Sequence, residues 1–354
     1  MSVAYRPVQW NAFKLGYDAL LVSVIASYVT LFQSVSRALF AGNIALSAPI
    51  LAMRAWGSCA FLLLSFVLCI GPLTRLDKRF LPLLYNRRHA GVLMCLVACV
   101  HAYQVLGFYY AWGKRPKLEA LLSYDNQFSA GSLPFIWFGL LALLIVSVMA
   151  VTSHDFWQKF LGPTFWKSLH MSAYLAYASA VLHVAFGPVQ REGQLAFRLG
   201  FWLVVLAVLV LHVSAALSST RGDRAPASDA DDGWLDVGDL HDLKEGYARA
   251  VCPKEGERIA LVRKNNKLYA LHGICAHQRG PLYEGRVKDG CLTCPWHGWQ
   301  YKAEDGRSPP PFQEQLSTYR LRLKNGRVLV DPRALPEGTA TQPVDLALLG
   351  ASHA

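Results

Sequence analysis

Four residues in the last third of this 354-residue sequence have the types and spacing of a metal-binding set. Cys275 and His277 lie in "CAHQRG" at 275–280, Cys294 and His297 lie in "CPWHGW" at 294–299, and sixteen residues separate His277 from Cys294. Two thiolates and two neutral imidazoles suit zinc. Yet Cys-x-His followed by Cys-x-x-His departs from the finger order, in which a Cys pair precedes a His pair. A two-iron cluster that takes both thiolates on one iron and both imidazoles on the other is the rival, and one Cys plus one His from each of two loops supplies that split.

A second group of candidates is buried in apolar sequence. His101, His170, His183 and His212 all fall within runs long enough to cross a bilayer. Polar groups in hydrocarbon are costly and usually functional, and neutral imidazole is a good axial ligand for haem iron. His170 and His183 are thirteen residues apart, a rise of about 20 Å along a helix, although their side chains would differ by about 140° in azimuth. That rise suits two haems stacked across a membrane.

The elements that must position these residues differ between the two halves. Residues 1–220 hold 16 Lys+Arg and 6 Asp+Glu, whereas residues 221–354 hold 19 and 18. The basic excess therefore belongs to the apolar half, as in basic loops between membrane spans. Nucleic-acid binding is disfavoured, because it would gather positive charge on a soluble face. Six spans are expected, near Ala19–Phe40, Ala55–Leu73, Ala90–Trp112, Leu133–Val151, Phe165–Phe186 and Leu199–Leu217. With six spans the termini share one side, which carries eleven Lys/Arg against seven opposite. That asymmetry puts the termini in the cytoplasm. Four cysteines in the spans (Cys59, Cys69, Cys95 and Cys99) read as small buried hydrophobes.

After 217 the pattern changes. "SSTRGDRAPASDADDG" at 218–233 reads as a flexible linker. Alternating runs such as "RIALVRKNNKLYAL" and "YRLRLKNGRVLVD" then place Asn-Asn and Asn-Gly turns between apolar strands, the signal of β-hairpins. The expected fold is multi-domain: an α-helical six-span membrane bundle (1–217), the linker (218–233), an all-β domain (234–333) and a disordered tail (334–354).

Two resemblances sharpen this reading. "NRRHAGVLMCLVACVHAY" (86–103) and "FWKSLHMSAYLAYASAVLH" (165–183) resemble the ligand helices of the ferric reductase-like transmembrane family. That family includes NADPH oxidases and the haem-binding membrane subunit of bacterial methionine sulfoxide reductase. The resemblance covers residues 40–217 and implies b-type haem between the third and fifth helices, with His101, His170 and His183 at ligand positions. Four-histidine members place another histidine fourteen residues before His101, where this chain has Arg87. The helices run in the same direction, so His101 pairs with His183, while His170 has His89 or His212 as rival partners. One or two haems are expected.

Residues 234–332, through "ICAHQRGPLYEG" and "CLTCPWHGWQY", resemble the Rieske [2Fe–2S] domains of ring-hydroxylating oxygenases and their ferredoxins. The resemblance implies that Cys275 and Cys294 hold one iron and that His277 and His297 hold the other, with Cys291 an ordinary strand residue. High-potential Rieske proteins carry a serine two residues after the last histidine and an extra loop disulfide. Here Trp299 takes the serine position, and Gln278, Arg279 and Trp296 stand in place of loop cysteines. A low-potential centre follows, with Tyr301 as the remaining hydrogen-bond donor.

The function expected is electron transfer in a bacterial inner membrane, between a cytoplasmic Rieske cluster and membrane haem, then to or from quinone or a periplasmic acceptor. No Gly-x-Gly-x-x-Gly fingerprint occurs, so a separate donor or reductase is implied. The alternative is the Rieske component of a membrane-tethered multi-component oxygenase or reductase. A complete Rieske oxygenase would need a two-His, one-carboxylate iron site, and after His297 only His353 remains.

Overall fold

The computed structural model describes residues 12–40, 47–111, 135–187, 195–223 and 233–347, the last range without 239, 241, 242, 278 and 297; Pro116, Glu119, Val189 and the pair 228–229 are also described. The chain forms two compact units that divide between Ala215 and Ala216. His297 lies outside the described residues, as do 348–354.

Apolar segments without water to satisfy their backbone must bond internally, which makes them helices. They are α1 (Ala12–Phe40), α2 (Ala48–Leu76), the short α3 (Leu81–Tyr85), α4 (Arg87–Ala111), α5 (Phe135–Val151), the short α6 (Asp155–Leu161), α7 (Pro163–Met171), α8 (Ala173–Phe186) and α9 (Leu195–Asp223). Among the described residues five stretches are long and apolar enough to cross a membrane, and α5 is a sixth apolar helix of 17 residues. The fifth expected span is two helices, α7 and α8, which meet at Ser172. Its hydroxyl and backbone N–H both turn back to the Leu169 carbonyl, tightening the chain there. Seven helices thus supply the six expected spans.

Helix α2 is the axis of this unit, being much more buried than its neighbours. It packs along α4, and α5 packs along α8. The shared core takes Ile25 and Val29 from α1, Ala55 and Leu64 from α2, Ala90 and Met94 from α4, and Ala176 from α8. Leu20 and Leu31 of α1 and Leu203 and Leu209 of α9 stay exposed, as the face of a helix turned to lipid would be.

Among the described residues the β unit holds β1 (Ser228–Asp229), β2 (Leu235–Asp236), β3 (Ala248–Val251), β4 (Ile259–Lys264), β5 (Lys267–His272), β6 (Arg286–Lys288), β7 (Cys291–Thr293), β8 (Gln300–Lys302), β9 (Leu321–Lys324), β10 (Arg327–Val330) and β11 (Val344–Asp345). They form three antiparallel sheets, in strand orders β1-β2-β10-β9, β11-β5-β4-β3 and β6-β7-β8. The strands that matter for the site are β5 (Lys267–His272), β7 (Cys291–Thr293) and β8 (Gln300–Lys302). β4 (Ile259–Lys264) joins β5 through Asn265 and Asn266, and β9 (Leu321–Lys324) joins β10 (Arg327–Val330) through Asn325 and Gly326; all four turn residues have positive φ. That is the backbone of tight hairpin turns, and the Asn-Asn and Asn-Gly pairs are there to supply it.

Two expected boundaries move. Helix α9 runs six residues into the segment read as linker, ending at Asp223. Nothing in "SSTR" stops a helix, whereas Gly222 disfavours its continuation and Pro226 lacks the N–H to extend one. Ser228–Asp229 is then a strand (β1) paired with Leu235–Asp236 (β2). The tail read as disordered is ordered through Ala347. Val344–Asp345 (β11) pairs with β5, Val344 is buried, and Leu335, Gly338, Thr341 and Leu346 each give a backbone N–H to the body of the domain. Val344 and Leu346 bury apolar surface there, which offsets the entropy of fixing a polar tail.

Candidate redox sites

In the β unit the two ligand loops begin where β5 and β7 end, and their backbones close in the same way. Cys275 N–H bonds the Gly280 carbonyl (2.8 Å) and Arg279 N–H bonds the Cys275 carbonyl (2.8 Å). Cys294 N–H bonds the Trp299 carbonyl (2.7 Å) and Gly298 N–H bonds the Cys294 carbonyl (2.9 Å). The fourth residue after each cysteine has positive φ, 54° at Arg279 and 71° at Gly298. Outside the first loop, Glu257 receives Arg279 (3.0 Å) and His272 (3.1 Å).

Three contacts bring the loops together. The imidazole of His277 stacks on the indole of Trp299, with ring centres 4.1 Å apart and planes 9° apart. The hydroxyl of Tyr301 lies 3.3 Å from Cys275 Sγ. A Cβ on Gly280 would sit 2.7 Å from Cys294 Sγ, so only glycine lets the end of the first loop approach the start of the second. Cys275 and Cys294 are both 1% exposed and neither is in a disulfide. Trp299 is held in turn by Phe312 (4.2 Å between ring centres) and by a bond from its indole N–H to Ser308 (3.1 Å).

Burial, and then the adjacent Cys275, push the Tyr301 hydroxyl well above the usual tyrosine range. It therefore keeps its proton and can donate to a thiolate that has none. Two buried thiols without a disulfide, an imidazole fixed by stacking and a protonated donor fit a cysteine- and histidine-ligated cluster. Among the described residues three of the four expected ligands border this seam, Cys275 through Tyr301, His277 through Trp299 and Cys294 through Gly280, while no three Cys, His, Asp or Glu among them form a metal-holding group by themselves. Cys291 lies in β7 opposite Lys302, as a strand residue.

In the helical unit His101 (α4) and His183 (α8) face each other, their ring centres 6.4 Å apart with 72° between planes. That separation would leave room for one metal ion bonded at about 2.0–2.1 Å by a nitrogen of each ring. His101 Nδ1 donates to the Met53 carbonyl of α2 (3.0 Å) and His183 Nδ1 to the Phe135 carbonyl of α5 (2.8 Å). A carbonyl only accepts, so the proton is on Nδ1 and Nε2 keeps its lone pair, the usual arrangement of a metal-ligating histidine. The pair fits a bis-imidazole metal such as haem iron.

The other histidines separate. His89 is held by Asp18 of α1, Nδ1 to carboxylate at 2.7 Å. His170 stacks on Trp166 (ring centres 3.8 Å apart) and bonds the Trp166 carbonyl, while His212 bonds the Val208 carbonyl and packs edge-on to Tyr174. The Nε2 atoms of His170 and His212 are both buried without a hydrogen-bond partner. The carbonyls of Met53 and Phe135 could not be found from sequence, because any residue supplies one. Trp299 was visible there, but read only as the absence of a serine.

Comparison with known proteins matches both halves. The family model for the ferric reductase like transmembrane component matches residues 56–181, and that for the Rieske [2Fe-2S] domain matches residues 233–320. The ferredoxin component of the alkene monooxygenase system of Xanthobacter autotrophicus is 36% identical over 119 residues, 33% of this chain and 97% of that protein. The anthranilate 1,2-dioxygenase ferredoxin subunit of Burkholderia cepacia is 35% identical over 99 residues, 28% of this chain and 91% of its own length. A solved ferredoxin of carbazole 1,9a-dioxygenase from Nocardioides aromaticivorans IC177 is 24% identical and covers 29% of this chain and 100% of that one, with a TM-score of 0.27. The chain belongs to the Rieske [2Fe-2S] proteins, with a ferric reductase like transmembrane component in the same polypeptide.

Proposed function

We propose that this protein passes single electrons between a Rieske [2Fe–2S] centre and b-type haem within one membrane-bound chain. The observation that carries the proposal is the pair His101 and His183, ring centres 6.4 Å apart and each with Nδ1 spent on a carbonyl, in a chain whose β unit also buries Cys275 and Cys294 without a disulfide. Bound there, the cluster and the haem supply one-electron carriers, which neither thiol nor imidazole provides alone. Cys275 and Cys294 would hold one iron and His277 and His297 the other, with Trp299 stacked on the His277 ring and Tyr301 placed to donate to Cys275. The buried position of both cysteines keeps water from the sulfurs.

The electron donor is a separate reductase or carrier, and the far acceptor is quinone or a periplasmic protein. Eleven basic residues against seven support a cytoplasmic β unit in a bacterial inner membrane. Two of the relatives are ferredoxins, of an alkene monooxygenase system and of an anthranilate dioxygenase. They support the second reading, in which the chain serves as the Rieske component of a membrane-tethered oxygenase or reductase. A second haem at His170 is supported by its unpartnered Nε2. His212 has the same orphaned atom, whereas His89 is engaged by Asp18, so His212 is the better partner.

The test is an optical and EPR redox titration of the purified chain. A low-spin haem spectrum that is lost in His101→Ala and in His183→Ala, beside the rhombic EPR signal of a histidine-ligated [2Fe–2S] centre, is the expected result. Stoichiometric zinc without iron refutes the cluster, and full haem content in both variants refutes the pairing. A wild-type ratio of one haem per cluster removes the second haem.

A further inference from the structure

Each histidine of the facing pair is seated over a helix glycine. A Cβ on Gly57 would lie 2.8 Å from Cε1 and 2.9 Å from Nδ1 of His101. A Cβ on Gly139 would lie 2.8 Å from Cε1 and 2.7 Å from Nδ1 of His183. No real side chain sits that close to a ring. Both glycines stand four residues after the carbonyl that their histidine bonds, Gly57 after Met53 in α2 and Gly139 after Phe135 in α5.

The spacing has a direct physical meaning. In an α-helix, residues i and i+4 lie one above the other, and the N–H of i+4 already bonds the carbonyl of i. A second donor can reach that carbonyl only from the side, across the place where the i+4 side chain would start. Glycine at i+4 leaves that approach open. A glycine inside a helix destabilises it by about 1 kcal/mol relative to alanine, yet the same device occurs on two separate helices. By contrast Gly71 in α2 and Gly91 and Gly107 in α4 have nothing within 4 Å of the Cβ they lack.

We propose that Gly57 and Gly139 are positioning residues for haem ligation. Each opens a seat in which the imidazole of His101 or His183 gives its Nδ1 proton to a carbonyl of the neighbouring helix, fixing the tautomer whose Nε2 can bind iron. The two seats are alike in construction, so the two ligands are equally constrained. This inference rests on the haem reading above, and goes beyond it by naming what holds the ligands in place.

The experiment measures haem content, spectrum and midpoint potential in membranes carrying the full chain, with the Rieske EPR signal as the count of folded protein. The variants are Gly57→Ala and Gly139→Ala, with Gly71→Ala and Gly107→Ala as controls. Gly57→Ala and Gly139→Ala should retain haem about 10–100-fold more weakly. Any haem they do retain should show a raised potential, because an imidazole that no longer donates from Nδ1 is a poorer electron donor to iron. The two controls should match wild type. If the substituted chain fails to accumulate, Gly57→Ala/His101→Ala should recover to the level of His101→Ala alone, since removing the ring removes the clash. Wild-type haem content, spectrum and potential in both Gly57→Ala and Gly139→Ala overturn the inference, as does a double variant that is not rescued. Haem absent from the wild type refutes the haem reading itself, a result visible before any glycine is changed.

Discussion

Replacing Tyr301 with phenylalanine removes one hydroxyl from a site where the ring is wholly buried and its packing is kept. That hydroxyl lies 3.3 Å from Cys275 Sγ and stays protonated. A hydrogen bond to a charged acceptor contributes about 1.5–3 kcal/mol. Only the part gained when the cluster takes on negative charge moves the potential. Taking that part as about half gives about 0.7–1.5 kcal/mol, which for one electron is about 30–65 mV. The direction is downward, because the donor favours the reduced state. An EPR-monitored redox titration of Tyr301→Phe beside wild type reads the shift directly. A potential that is unchanged, or higher, with the signal shape retained would refute the role given to Tyr301.

Three further outcomes follow from the β unit. Trp299→Ala removes the platform under His277 and a buried indole, and should destabilise the domain by about 3–5 kcal/mol with loss of the Rieske signal, measured by thermal unfolding and EPR. Gly298→Ala places a side chain at φ 71° and should cost about 1–2 kcal/mol in denaturant unfolding. At Asp331 burial alone would raise the carboxyl, but hydrogen bonds and charge from Arg333 outweigh it and hold the pKa below the usual range. The stability from that pair is therefore present above the unfolded carboxylate pKa and is lost as pH falls through the lowered one. Arg333→Gln should lower stability at neutral pH and flatten the acid limb of a stability–pH curve, and an unchanged limb would show that Asp331 is not held this way.

What could be read from sequence was local chemistry. Cys275, His277 and Cys294 stand out as ligand candidates because metal binding needs particular atoms at short spacing, and the two Asn-led turns stand out because few residues accept positive φ. The six apolar runs and the pairing of His101 with His183 followed from hydropathy, helix direction and family likeness. The misses are tertiary. Gly57 and Gly139 looked like any helix glycine until α2 lay along α4 and α5 along α8. Asp18 is 71 residues from His89, and only packing joins them. Val344 sits in a polar stretch whose composition suggests disorder, and its pairing with Leu268 has no signature in either segment.

The paired closures of the two cysteine loops bear on how the cluster arrives. Each loop is closed by two backbone bonds and Trp299 stacks on His277, and none of these contacts is itself a bond to iron. In a zinc finger, by contrast, metal binding is the folding event. Here those contacts would give the loops order of their own, and less chain entropy would be lost when a cluster is inserted. A β unit built in this way should stay folded when stripped of iron and accept a cluster again.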